Sequence, residues 1–310
     1  MNILAAISHA PLLADGAMGT QLQLAGLEPG SCGDLWNVER PEAVQQIHRS
    51  YANAGAQVIT TNTFGANRIG LERYGEERRV AEVNRAGADL ARKATQPGTY
   101  VLGDIGPFGG FMAPLGEYET QQIFDVFAEQ AAALLAGGVD AIIVETMSAI
   151  EETVVAIQAA RAAGAQLVLA TMAFDRTHVG PRTMMGATPE QSAEALVQAG
   201  AAIVGANCGA SLDLNDFVDI IVGMRRAVPG MPVIVQPNAG QPQLTPSGAI
   251  EYPTDPQHFA GGVGKLLDAG AAIVGGCCGT TPSHIRAVAE LMRARRGGAA
   301  NGTHGQQARE

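Results

Sequence analysis

The chain has 310 residues, 46% of them hydrophobic, and a net charge of −10. This acidic balance, without a basic stripe that would neutralise phosphates, argues against a nucleic-acid partner. No apolar run approaches the roughly 18 residues of a membrane span, and the apolar start at residues 1–13 lacks the basic residues of a signal peptide. Four cysteines, two of them adjacent, do not resemble the framework of a small secreted domain. We therefore expect a soluble, cytoplasmic protein with reduced thiols and no membrane partner.

Eight short apolar runs recur along the chain and are bounded by glycines. We predict strands at residues 12–14, 57–61, 100–103, 141–145, 167–171, 202–205, 232–236 and 272–275. Most of these runs are apolar throughout, which is typical of parallel strands that are covered on both faces. Segments with helical spacing lie between them, among them residues 122–136 and 189–199. The alternation predicts an α/β fold with a parallel sheet.

A weak internal repeat supports this pattern, because a glycine between small residues comes just before five of the strands. We expect these glycines to end helices in the left-handed conformation: Gly55, Gly138, Gly164, Gly200 and Gly270. Eight βα units in roughly 295 residues favour a single-domain (β/α)8 TIM barrel over residues 1–296. Residues 297–310, rich in Gly, Ala and Gln, are expected to form a disordered tail. An open, doubly wound sheet is the alternative, but no Gly-x-Gly-x-x-Gly follows the first strand.

Three of the four cysteines follow predicted strands, where the chemistry of such a barrel is expected. Cys208 follows the sixth strand, and Cys277 and Cys278 follow the eighth. A lone cysteine at a strand end is more often a small buried hydrophobe than a ligand. Three thiols at one rim favour a metal, because adjacent cysteines are poorly placed to form a disulfide with each other. Three soft thiolates select Zn²⁺ and leave the fourth tetrahedral position open, which predicts a catalytic zinc site.

Five segments of the chain resemble the homocysteine S-methyltransferase family: residues 15–20, 61–64, 207–208, 237–240 and 275–282. The resemblance covers about residues 10–295. The run Gly-Gly-Cys-Cys-Gly-Thr-Thr-Pro with an upstream Asn-Cys is most similar to the homocysteine-binding domain of cobalamin-dependent methionine synthases. The resemblance implies that Cys208, Cys277 and Cys278 bind Zn²⁺. It also implies that the sulfur of homocysteine takes the fourth position as a thiolate and is methylated to methionine.

The resemblance further implies contacts for the amino-acid end of homocysteine. Asp15 and Glu145 would receive its ammonium, and backbone amides near Gly19 and Thr20 would receive its carboxylate. The alternative role for the two acids is helix capping, because both come before predicted helical segments. Asn238 is expected beside the metal, as a standby ligand or a substrate contact, and the alternative is a turn asparagine after a proline.

The methyl donor is left open by the sequence. The candidates are a separate methyl-corrinoid protein, S-methylmethionine and S-adenosylmethionine. Residues 61–64 resemble the corrinoid-linked group slightly more than the S-methylmethionine group. A betaine donor is less favoured, because Trp36, the single tryptophan, is not in a segment that matches the aromatic cage of betaine-dependent relatives. Two other functions stay open: an enzyme that methylates or demethylates another thiol, and a non-catalytic zinc- or thiol-binding barrel.

Overall fold

The computed structural model describes residues 2–245 and 250–302, with side chains described as far as residue 296. The main sheet of the described residues has eight strands: β1 (Leu12–Leu13), β2 (Val58–Thr60), β3 (Tyr100–Ile105), β4 (Ala141–Met147), β5 (Val168–Met172), β6 (Ile203–Cys208), β7 (Val233–Pro237) and β8 (Ile273–Val274). Two short antiparallel hairpins accompany it: Asp175–Thr177 with Gly180–Arg182, and Gln243–Leu244 with Ile250–Glu251.

The same described ranges form twelve α-helices: α1 (Ile3–Ile7), α2 (Met18–Leu24), α3 (Trp36–Glu39), α4 (Pro41–Ala54), α5 (Arg68–Glu72), α6 (Val80–Ala94), α7 (Thr120–Ala136), α8 (Ile150–Ala162), α9 (Pro189–Ala199), α10 (Leu214–Ala227), α11 (Pro256–Asp268) and α12 (Pro282–Gly302). One turn of 3-10 helix, Glu77–Arg79, leads into α6. None of the described helices is both long and apolar enough to span a membrane. Helix α12 includes residues 297–302, and the rest of the tail that we expected to be disordered lies outside the described residues.

The eight strands are all parallel and follow one another around a closed sheet, in which β8 pairs with β1. The remaining seam, between β1 and β2, is closed by a bridge between Ala14 and Val58. The Gln57 N–H donates to the carbonyl of Leu13 at 2.7 Å, and the Asp15 N–H donates to that of Val58 at 3.0 Å. The predicted (β/α)8 barrel is therefore confirmed, and the doubly wound alternative is wrong.

Two apolar layers hold the barrel together. The larger packs the outer face of the sheet against the helices, with side chains such as Phe127 and Ile157 fully buried. The inner layer fills the barrel with one or two inward side chains from each strand, among them Leu102, Ile143 and Ile234. This double burial explains why the strands are apolar throughout.

The inward rows of the strands become polar where the strands end. Side chains alternate between the two faces of a strand, so residues two or four positions after an inward apolar residue also point inward. At the carboxyl ends this places a polar layer above the apolar interior: Thr60, Asp104, Glu145, Thr171, Asn207 and Gln236. The barrel thus builds the polar floor of a site at the end where the sequence predicted one.

The helix-ending glycines behave as predicted. All five have positive φ, and the values at Gly55 and Gly200 are 110° and 104°. Both of these residues cap their helices in the left-handed conformation, in which a side chain would be strained. At both positions only three residues, 55–57 and 200–202, connect the helix to the next strand, as the compact βα units require.

Candidate active site

A cavity of about 350 Å³ opens at the carboxyl ends of the strands. Four acids line it on the side of β1 to β4, and three cysteines line it on the side of β6 to β8: Asp15, Asp34, Asp104 and Glu145, then Cys208, Cys277 and Cys278. No lysine, arginine or histidine lines it among the residues that the structure describes. The cavity therefore combines a group of sulfurs with a group of carboxylates that have no resident counter-charge.

The three sulfurs converge from two strand ends. Cys208 is the last residue of β6, and Cys277 and Cys278 lie in the loop after β8. Their sulfur atoms all lie within 4.8 Å of one another, and those of Cys277 and Cys278 are 3.9 Å apart. A tetrahedral zinc with Zn–S bonds of about 2.3 Å would hold its sulfurs roughly 3.8 Å apart. The spacing fits one zinc held by three thiolates.

Backbone hydrogen bonds fix the loop that carries the two adjacent cysteines. The Cys277 N–H donates to the carbonyl of Pro237 at 2.8 Å, and the Ala239 N–H donates to that of Cys278 at 2.9 Å. Cys208 has a φ of +59°, a left-handed conformation that residues other than glycine seldom adopt. Such strain is retained where a side chain must be aimed, here toward the β8 loop.

Asn207, the residue before Cys208, orients the sulfur cluster, a role that the sequence analysis did not assign to it. Its Oδ1 accepts hydrogen bonds from the Thr146 N–H at 2.8 Å and the Thr171 hydroxyl at 2.7 Å. Its Nδ2 donates to Thr146 Oγ1 at 2.6 Å and faces Cys277 Sγ at 3.9 Å. The amide is thus held in one orientation and presents an N–H to a sulfur, which stabilises a thiolate.

The thiols share negative charge unequally. The pKa of Cys278 is lowered, because its sulfur accepts hydrogen bonds from Cys208 and Cys277, with a further one from Tyr252. The pKa of Cys277 is raised, because its thiol hydrogen-bonds to Cys208 and Cys278 and is buried. Without a metal the group favours one thiolate, whereas a bound divalent cation favours ionisation of all three.

The two acids predicted from the resemblance lie in the cavity wall. Asp15 is buried, and its carboxylate accepts a 2.9 Å hydrogen bond from the Thr60 N–H and a 3.2 Å one from the Thr60 hydroxyl. Burial nevertheless raises the pKa of Asp15 to about 7. Burial and then the charge of Asp15 raise the pKa of Glu145 to about 8. The N-cap residues of the helices that follow are Ala17 and Ala149, and neither helix has a side-chain cap, so the capping alternative is wrong for both acids.

Two further acids in the cavity were missed by the sequence analysis. Asp34 lies in the loop between α2 and α3, where its Oδ1 accepts from the Gly65 N–H at 3.2 Å and its Oδ2 from the Cys32 thiol at 3.6 Å. Burial raises the pKa of Asp34 to about 6. Asp104 lies in β3, and burial followed by the charge of Glu145 raises its pKa well above the usual range.

Comparison with known proteins identifies the family of the chain. The model of the homocysteine S-methyltransferase family matches residues 12–292. This chain belongs to the homocysteine S-methyltransferase family. A methionine synthase of Mycobacterium tuberculosis is 35% identical over 94% of the chain, which spans only 25% of that protein's length. Betaine–homocysteine S-methyltransferase 1 of Bos taurus is 33% identical over 92% of the chain, which covers 73% of that enzyme.

A solved structure shares the fold. The homocysteine methyltransferase MmuM from Escherichia coli, in its metallated form, superimposes with a TM-score of 0.76 at 24% identity. The match covers 94% of this chain and all of that one. The barrel described above is therefore the architecture of that methyltransferase as well.

Three more residues that the family resemblance indicated can be located. Gly19 and Thr20 lie in the first turn of α2 and line the cavity, and the Thr20 hydroxyl accepts from the Gly279 N–H at 3.1 Å. Asn238 is not among the described lining residues. Its side chain donates to the carbonyl of Gly209, the residue after Cys208, at 3.3 Å. Asn238 thus lies beside the sulfur cluster.

Proposed function

We propose that this family member transfers a methyl group to the sulfur of homocysteine, forming methionine, with Zn²⁺ held by Cys208, Cys277 and Cys278. One observation carries the proposal: the three sulfurs converge within 4.8 Å of one another in the wall of the acid-lined cavity. When bound, the zinc would keep the substrate's thiol, with an ordinary pKa near 8.5, ionised at neutral pH. Three protein ligands leave one tetrahedral position for that sulfur.

The protein's own residues bind and orient the amino acid. Asp15 and Glu145 would attract its ammonium from the cavity wall, and the ammonium favours their ionised forms. The backbone amides near Gly19 and Thr20 would receive its carboxylate, since the first N–H groups of a helix have no partner within it. Asn207 and Asn238 would hold the sulfur cluster in place. No general base is required, because the substrate's sulfur reacts as a thiolate.

The lining of the cavity supports a donor other than betaine. A quaternary ammonium is bound through a cage of aromatic faces. Phe64 is the one aromatic residue among the described lining residues. Trp36 is buried elsewhere, with the guanidinium of Arg40 stacked 4.6 Å from its ring centroid. A methyl-corrinoid protein, S-methylmethionine or S-adenosylmethionine is the proposed source of the methyl group.

Methionine formation tests the proposal. Zinc-loaded protein is incubated with L-homocysteine and, in separate arms, methylcobalamin, S-methylmethionine, S-adenosylmethionine or betaine. We expect methionine from at least one of the first three donors and none from betaine. Cys208→Ser should abolish the product and the bound zinc, whereas Cys32→Ser should keep both, because Cys32 is outside the sulfur cluster. Zinc without any binding of homocysteine would favour the storage alternative and reject the proposal.

A further inference from the structure

One carboxylate in the cavity has an oxygen that nothing satisfies. Asp104 is only 4% exposed, and its Oδ1 has no hydrogen-bond partner among the described residues. The backbone around it is fully engaged: its N–H donates to the Thr61 hydroxyl at 2.9 Å, and its carbonyl accepts from the Thr63 hydroxyl at 2.8 Å. Leaving a buried carboxylate oxygen unpaired is costly, so its retention in a cavity wall indicates a ligand with a donor.

The neighbouring acids differ in whether their carboxylate oxygens already accept hydrogen bonds. Asp15 already receives two hydrogen bonds from Thr60, which tie it to the seam between β1 and β2. Glu145, on the strand next to Asp104, has no side-chain hydrogen bond within the described ranges. Asp104 and Glu145 are therefore the two adjacent acids whose side chains are free to bind a new donor.

The acceptors without partners suit a hydrogen-bond donor that carries positive charge. The Oε1 of Gln236 is a second buried acceptor in the cavity without a partner among the described residues. No basic side chain lines the described cavity, and the charge of Glu145 acts on Asp104 without compensation. An ammonium supplies three N–H donors and one positive charge, which suits the free carboxylates of Asp104 and Glu145.

A metal ion fits the acids less well than an organic cation. In the part of the chain that the structure describes, the three cysteines are the one group of side chains that converges closely enough for a metal. Hard cations such as Mg²⁺ require several oxygens at bonding distance around one point. The carboxylates do not form such a group, whereas an ammonium on a flexible substrate needs only one or two of them.

We propose that Asp104 is a specificity-determining residue that receives the ammonium of the amino-acid substrate together with Glu145. This inference rests on the proposed function and deepens it, because it adds a carboxylate to the two that the family resemblance implied. It also explains why a thiol with an α-amino group would be selected over one without it: loss of the ammonium leaves the buried Asp104 and the half-buried Glu145 without a counter-charge.

Calorimetry with two thiols tests the inference on zinc-loaded protein. L-Homocysteine is compared with 4-mercaptobutyrate, which has the same carbon chain and lacks the amine. Asp104→Asn should weaken homocysteine binding about ten- to a hundredfold, the range for a hydrogen bond to a charged group. Its effect on 4-mercaptobutyrate should stay below about threefold, because no charge-assisted bond is lost there.

Asp34→Asn is the matched control. Asp34 lines the same cavity, but its oxygens already accept from Gly65 and Cys32, so the variant should change the ratio of the two affinities much less than Asp104→Asn does. Zinc content and melting temperature show that each variant is folded. Asp104→Ser, a smaller substitution that also removes the charge, should reproduce the selective loss.

The outcomes are distinguishable. An equal loss for both thiols, or no loss for homocysteine, in folded and zinc-loaded Asp104→Asn and Asp104→Ser overturns the role of Asp104. If the wild-type protein does not bind homocysteine at all, the proposed function itself has failed. If it binds 4-mercaptobutyrate as tightly as homocysteine, no ammonium is recognised, and the inference is overturned while the sulfur-binding proposal stands.

Discussion

Replacing Glu152 with glutamine should stabilise the protein at alkaline pH and leave it unchanged in acid. Glu152 is 8% exposed, and burial raises its pKa from 4.5 to about 7 even though it accepts a 2.9 Å hydrogen bond from the Phe108 N–H. Below pH 4.5 the carboxyl is protonated in both the folded and the unfolded chain, so its burial does not lower the free energy of unfolding. As the pH rises to 7 the unfolded chain loses the proton first, and the stability of the fold falls.

The size of this effect follows from the pKa. Raising the pKa of Glu152 from 4.5 to about 7 lowers the free energy of unfolding by roughly 3 kcal/mol above pH 7. Glu152 also lies in the first turn of α8, where the helix dipole stabilises a carboxylate by up to about 1 kcal/mol. Glutamine keeps an acceptor for Phe108 and removes the charge. The variant should therefore gain roughly 2 kcal/mol above pH 7.

Melting temperatures of wild type and Glu152→Gln at acidic and alkaline pH provide the assay. We expect equal values at pH 4 and a gain of about 4 °C or more at pH 8.5. Glu151→Gln is the matched control, since Glu151 is exposed in the same helical turn and should show no such pH-dependent gain. A Glu152→Gln difference that does not vary with pH, or that is larger in acid, would refute the reasoning.

Two further substitutions test the architecture of the site. Gly279 has a φ of +77°, and a Cβ there would lie 2.2 Å from the Cβ of Tyr252, so Gly279→Ala should displace the cysteine loop and lower the zinc content. Gly261→Ala, which adds a Cβ in open space, should keep its zinc, and equal zinc in both would contradict this view of the loop. Asp15→Asn should retain zinc and weaken homocysteine binding less than Asp104→Asn does, because the side chain of Asp15 is engaged by Thr60. A larger loss in Asp15→Asn, measured by the same calorimetry, would return the main ammonium contact to Asp15.

The barrel and the sulfur cluster could be predicted because local sequence encodes them directly. Strands buried on both faces are apolar throughout, and the residues at their carboxyl ends come next in the sequence. Cys208 and Cys277 therefore follow two recognisable strands, although 69 positions of the sequence separate them. Glycines such as Gly200 mark the helix ends for an equally local reason, the left-handed backbone.

Asp104 and Asp34 were missed because local sequence patterns indicate their place in the cavity weakly or not at all. The predicted third strand stopped at residue 103, one position before Asp104, whereas the strand runs over Tyr100–Ile105. An acid two positions after the inward Leu102 is a signal that could have found it. Asp34 gives no such signal, because its place in the cavity depends on the fold of a long loop and on a hydrogen bond to Gly65, 31 residues away in sequence.

X-ray absorption at the zinc edge tests the central claim most directly, because it counts the sulfurs around the metal before and after substrate is added. We predict three Zn–S contacts at about 2.3 Å in the zinc-loaded protein and a fourth when L-homocysteine is added. Cys32→Ser should give the same spectra, since Cys32 is outside the sulfur cluster. A protein that retains no zinc, or a sulfur count that stays at three with saturating homocysteine, would contradict a mechanism in which the metal binds the substrate's thiolate.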